Sequence, residues 1–86
     1  MFDKQFFKES VRRFLIKMSG NHKISYETKL FDEGIIDSLN FVQLVLFIEK
    51  KFGIQLKPFS IQIEDFESLT TLSEVISSMA LESKNK

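Results

Sequence analysis

Cysteine is missing from this 86-residue sequence, and histidine and proline occur once each, at His22 and Pro58. Without cysteine the chain has no disulfide and no thiolate metal ligand, which fits a reducing, cytoplasmic setting. Any thiol or thioester chemistry must then come from a group attached to the chain. A charge excess is missing as well. Twelve basic residues balance twelve acidic ones, so the basic surplus that supplies most nucleic-acid affinity is absent. No apolar run approaches the roughly 20 residues that span a bilayer, so no membrane insertion is expected. The opening Met-Phe-Asp-Lys-Gln-Phe-Phe-Lys is charged too often for a secretory apolar segment.

What is present is apolar and helical in period. Apolar residues make up 43% of the chain, ten of them phenylalanine, which favours one modest core over disorder. A single domain is expected over residues 1–86, a monomer, with its core from about 3 to 82 and a frayed tail at 83–86. Phe7, Val11, Phe14, Leu15 and Met18 recur at helical spacing. Asp3 suits the N-cap of that helix, Phe2 can staple onto Phe7, and Gly20-Asn21 ends it. Leu72, Val75, Ile76, Met79 and Ala80 form a similar stripe near the C-terminus, where Thr71 and Glu74 read as a capping box.

The central helix is expected from Ser38 to Phe52. Before it runs a connection of about 17 residues, Ser19 to Asp37, long enough to need a function or its own anchors. Tyr26, Leu30, Phe31, Ile35 and Ile36 supply such anchors. After it, a second connection passes Pro58; Ile63-Glu64-Asp65-Phe66 suits one short helical turn, and Ser60 to Ile63 is too short to pair alone as a strand. The expected fold is an all-α, small up-down bundle of three main helices plus one short helix.

The central helix is apolar on two sides. At 100° per residue, Phe41, Leu44, Val45, Ile48 and Phe52 fall within about 60° of one direction, a core stripe. Leu39, Val42 and Leu46 fall at roughly 100–160° by the same rule and form a second stripe. Wrapping by the other elements would bury both stripes. Three other elements in so short a chain cover a whole circumference with difficulty, so the second stripe is expected to be exposed as a docking surface.

Ser38 stands at the N-terminal end of this helix, where unpaired N–H groups and the helix dipole favour negative charge. Three roles are open to it. It can help to cap the helix, although Asp37 can also do that. It can be a nucleophile, but that needs a base in reach; His22 lies in a polar loop, and no Gly-x-Ser-x-Gly surrounds Ser38. Or it can be covalently modified. Asp32, Glu33 and Asp37 lack the ligand spacing of a calcium loop, so no metal is expected.

Leu30-Phe31-Asp32-Glu33-Gly34-Ile35-Ile36-Asp37-Ser38-Leu39, then Val42-Gln43-Leu44, then Glu49-Lys50-Lys51-Phe52-Gly53-Ile54, together resemble the acyl carrier proteins. The similarity covers Phe7 to about Met79 and is in particular to discrete, single-domain carriers such as the D-alanyl and aminoacyl carrier proteins. It implies a non-catalytic carrier in which Ser38 receives 4′-phosphopantetheine from coenzyme A through a phosphopantetheinyl transferase. Asp37, Leu39, Val42 and Leu46 would meet partners: that transferase, an acyl- or aminoacyl-activating ligase, and downstream transferases or synthases. The rival expectation is an unmodified helical interaction module that docks through Leu39, Val42 and Leu46.

The sequence departs from the carriers of primary fatty-acid synthesis, which are usually strongly acidic along this helix. Here Glu49 is its only acid, beside Lys50 and Lys51. The segment Lys57 to Leu69 differs too, and its Glu64-Asp65-Phe66 looks more like the specialised carriers. Because charge on a docking face selects partners, the expectation is a dedicated biosynthetic pathway.

Overall fold

The computed structural model describes residues 2–56 and 62–84, with side chains to residue 79 in the last helix. It contains helices α1 (Lys4–Ser19), α2 (Ser38–Phe52) and α3 (Leu69–Lys84), with a 3-10 helix at Ile63–Phe66 before α3. No strand occurs among the described residues. The architecture is the expected small helical bundle. Pro58, Ser60 and Ile61 lie outside the described residues, as do Asn85 and Lys86. The backbone of α3 stays helical through Lys84.

Local chemistry sets most of the helix ends. Asp3 accepts the N–H of Phe6 at 3.1 Å, and the rings of Phe2 and Phe7 meet at 5.4 Å, the expected cap and staple. Gly20 ends α1 at φ 75°, and its N–H bonds the carbonyl of Ile16, a left-handed stop that costs glycine no steric penalty.

The start of α3 corrects the sequence reading. Ser68, rather than Thr71, takes the capping role: its hydroxyl accepts the N–H of Thr71 at 3.2 Å. Leu69 is fully buried, and burying it holds an extra stretch of helix ahead of Thr71. Glu74 then lies inside the helix and pairs with Lys4 of α1 at 3.0 Å.

The core gathers Phe7, Val11 and Leu15 from α1, Leu44 and Ile48 from α2, Phe66 from the 3-10 helix, and Leu69, Leu72 and Ile76 from α3. Phe41, Val45 and Phe52 flank it half-buried, as do Phe14, Met18, Val75 and Met79; Ala80 lies beyond the described side chains. The long connection between α1 and α2 packs down on this core. Ile24, Leu30, Ile35 and Ile36 are all buried, each contributing on the order of 1.5–3 kcal/mol by removal from water. Tyr26 and Phe31 are half-buried beside them.

Hydrogen bonds then tie that connection to α1 and to the start of α3. The Arg12 guanidinium donates to the carbonyl of Ile24 at 2.6 Å. The N–H of Leu30 donates to the carbonyl of Glu67 at 2.9 Å, and that of Thr70 to the carbonyl of Tyr26 at 3.1 Å. A connection fixed at this many points delivers the start of α2 to a defined place.

Candidate functional site

The approach to α2 is a tight reversal. The carbonyl of Leu30 accepts the N–H groups of both Ile35 and Ile36, at 2.9 and 3.0 Å. The chain turns through Gly34 at φ 74°, a conformation that carries a Cβ penalty in other residues. Ile35 and Ile36 are thereby driven into the core, and the next residues, Asp37, Ser38 and Leu39, are left in solvent.

Asp37 is the N-cap of α2. Its carboxylate accepts the N–H groups of Leu39 and Asn40, both at 2.9 Å, and its carbonyl accepts the N–H of Phe41 at 2.9 Å. Asn40 returns the favour: its side-chain oxygen accepts the N–H of Asp37 at 2.6 Å, and its amide donates to the carbonyl of Ile35 at 3.1 Å. The sequence reading passed over Asn40, although a polar residue three places after an N-cap is a recognisable signal.

With the cap filled by Asp37, Ser38 is not needed for capping. It is the first residue of α2, it is exposed, and its hydroxyl makes no hydrogen bond among the described residues. Its N–H is the one first-turn donor that Asp37 does not engage. A phosphate ester on this oxygen would lie at the positive end of the helix, beside a free donor and in open solvent. The Asp37 carboxylate is the opposing charge, partly offset by the two N–H groups that it already accepts. The residues present therefore fit a phosphodiester.

The second stripe of α2 is exposed: Leu39 at 79%, Val42 at 56% and Leu46 at 51%. These numbers decide between the two readings of that stripe, since a helix wrapped on all sides would show each of them buried. Leu39 directly follows Ser38, so the apolar strip begins at the free hydroxyl. No acidic side chain interrupts it, because Glu49 is turned to other use and accepts the N–H of Leu56 at 2.9 Å.

Other arrangements are not assembled. His22 is exposed in the connection between α1 and α2. Among the described residues, no group of three or more His, Asp or Glu side chains is placed to hold a metal ion. None of the described helices is long and apolar enough to cross a membrane.

The sequence that builds this site has counterparts among known proteins. Residues 15–78 match the family described as the phosphopantetheine attachment site. The chain belongs to that family. Members of that family carry covalently attached 4′-phosphopantetheine. Among curated proteins, the D-alanyl carrier proteins of Listeria welshimeri and Listeria monocytogenes are each 40% identical to this chain over 50 residues. That match covers 56% of this chain and 64% of each relative, less than two thirds of their length.

Proposed function

We propose that Ser38 is the attachment residue and that the protein presents an aminoacyl or acyl group to the enzymes of a dedicated biosynthetic pathway. The observation that carries this reading is the exposed, unbonded Ser38 hydroxyl at the tip of a helix whose cap is already filled by Asp37. In the loading step, the Ser38 oxygen loses its proton and bonds the phosphorus nearer the pantetheine of coenzyme A. The pyrophosphate bond breaks, and the adenosine bisphosphate portion leaves. Once attached, the arm supplies the thiol that this cysteine-free chain lacks, and holds the cargo as a thioester.

The residues around Ser38 then have separable tasks. Asp37 and Asn40 hold the helix tip so that the hydroxyl points outward, and Leu39, Val42 and Leu46 give partner enzymes an apolar surface to grip. A tethered cargo reaches each partner at high effective concentration, so the docking can be weak. With no acid on the strip and Lys50 and Lys51 at the end of the same helix, partners with basic docking faces are disfavoured. This separates the protein from acidic carriers and favours a dedicated transferase, ligase and downstream acceptor in the cytoplasm.

The similarity to D-alanyl carrier proteins supports an aminoacyl cargo, with D-alanine the first to test. Incubation with coenzyme A and a phosphopantetheinyl transferase is expected to add the mass of one phosphopantetheine group to the wild type and none to Ser38→Ala. Incubating the loaded form with ATP, D-alanine and a D-alanine-activating ligase then tests the cargo by the mass of one aminoacyl thioester.

A further inference from the structure

A second surface lies on the other flank of α2. Phe47 and Lys51 stand roughly 110–150° round that helix from the Leu39/Val42/Leu46 strip at 100° per residue. They form one wall of a groove of about 650 Å³ whose other wall is α1. Its floor is aromatic. The rings of Phe14 and Phe47 stack with centroids 4.2 Å apart, and Phe6 is left 54% exposed. Its rim is cationic: Arg13, Lys17 and Lys51 line it, and no carboxylate does.

The cations are not equally free. Arg13 donates to Glu9 at 3.1 Å, whereas Lys17 and Lys51 make no ion pair among the described residues. The Lys51 ammonium lies 5.7 Å from the centre of the Phe6 ring. Apolar floor and unpaired ammonium groups therefore share one concavity, and the charge that would complement them is negative. A second copy of the chain brings the same cations to a two-fold interface, where they repel. The volume falls in the range of about 300–1,000 Å³ typical of small-ligand sites. From Phe6 to Lys17 the α1 wall runs on the order of 16 Å at the helical rise, room for an alkyl chain laid along it.

We infer that this groove binds a single-chain amphiphile with an anionic head, its tail over Phe6, Phe14 and Phe47 and its head at the Lys17/Lys51 rim. The inference is independent of the Ser38 assignment.

The test is a titration of the full isotope-labelled chain with dodecanoate below its micelle concentration, followed by amide NMR. Saturable shifts centred on Phe6, Phe14, Phe47 and Lys51 are expected. The double charge reversal Lys17→Glu/Lys51→Glu, on exposed positions, should weaken binding about tenfold or more while leaving the spectrum folded. Dodecyl maltoside, with a neutral head, should bind about tenfold more weakly for the same reason. Several results would overturn the inference: equal binding of the neutral amphiphile, shifts centred on Leu39, Val42 and Leu46, or no saturation at all. Shifts seen with anionic phosphatidylglycerol vesicles and not with monomeric dodecanoate would also overturn it, and would assign the face to a bilayer.

Discussion

Asp37 and Asn40 hold each other in place at the tip of α2: the Asp37 carboxylate accepts the N–H of Asn40 at 2.9 Å, and the Asn40 side chain accepts the N–H of Asp37 at 2.6 Å. Ser38, which lies between them, is thereby freed from capping. Asn40 also donates to the carbonyl of Ile35, linking the tip to the buried reversal beneath it.

Removing either partner should therefore loosen the tip. Asp37→Ala is expected to cost about 1 kcal/mol of stability, within the usual 0.5–2 kcal/mol for a lost N-cap. Asn40→Ala should cost less and act in the same direction. The two effects should fall short of additive, because the residues share one network. Urea unfolding of the two single variants and the double variant checks all three statements.

Leu39→Asp with Leu46→Asp separates docking surface from core. Both side chains are more than half exposed, so the double variant should stay folded, with each change shifting stability by no more than about 0.5 kcal/mol. Its rate of loading by a transferase should fall. Loss of the helical circular dichroism signal would instead show the strip to be structural.

Beneath the tip, Leu30→Ala removes a fully buried side chain whose carbonyl orients Ile35 and Ile36. A loss of about 2–5 kcal/mol is expected from transfer and cavity terms together. Hydrogen exchange in residues 30–37 should rise more than in α3 if the connection opens locally before the bundle does.

Acid should weaken a different part of the molecule. The Tyr26 hydroxyl, donating to Glu9 at 2.9 Å, and then the Arg13 guanidinium hold the Glu9 carboxyl below the usual glutamate range. The same bond to Glu9, with some burial, raises the Tyr26 phenol above its ordinary value. A carboxyl depressed in the folded state stabilises it above the unfolded-state value, and that contribution is lost as pH falls through the folded-state value. Glu9→Gln should thus be less stable than the wild type at neutral pH, and the gap should close below the ordinary glutamate range. For Tyr26 the sign reverses: its contribution is complete below the ordinary tyrosine value and is lost as pH rises through the raised one. Denaturation midpoints across pH check both directions.

Much of this fold can be read from local pattern. Helix periodicity placed α1 and α2, Asp3 and Asp37 marked their starts, and Ile63–Phe66 was recognisable as a short turn. The exposed strip was legible too, because Leu39, Val42 and Leu46 sit too far round α2 to share one core with Phe41, Leu44 and Ile48. Contacts between distant residues were not legible. Ile24 is buried and held by Arg12, yet nothing periodic surrounds it. Phe47 looks misplaced on its helix until Phe14 of α1 stacks on it. The true start of α3 was obscured because Thr71 and Glu74 imitate a capping box two residues inside it, while Ser68 does the work through a bond to Thr71. These features depend on how helices meet, which spacing within one segment does not encode.

The most direct test of the account is to locate the arm within the loaded protein by proteolysis and tandem mass spectrometry. The account places phosphopantetheine on Ser38, in the fragment that also holds Asp37 and Leu39. Finding the group on any other serine, or on none after exhaustive incubation with an active transferase, would contradict it.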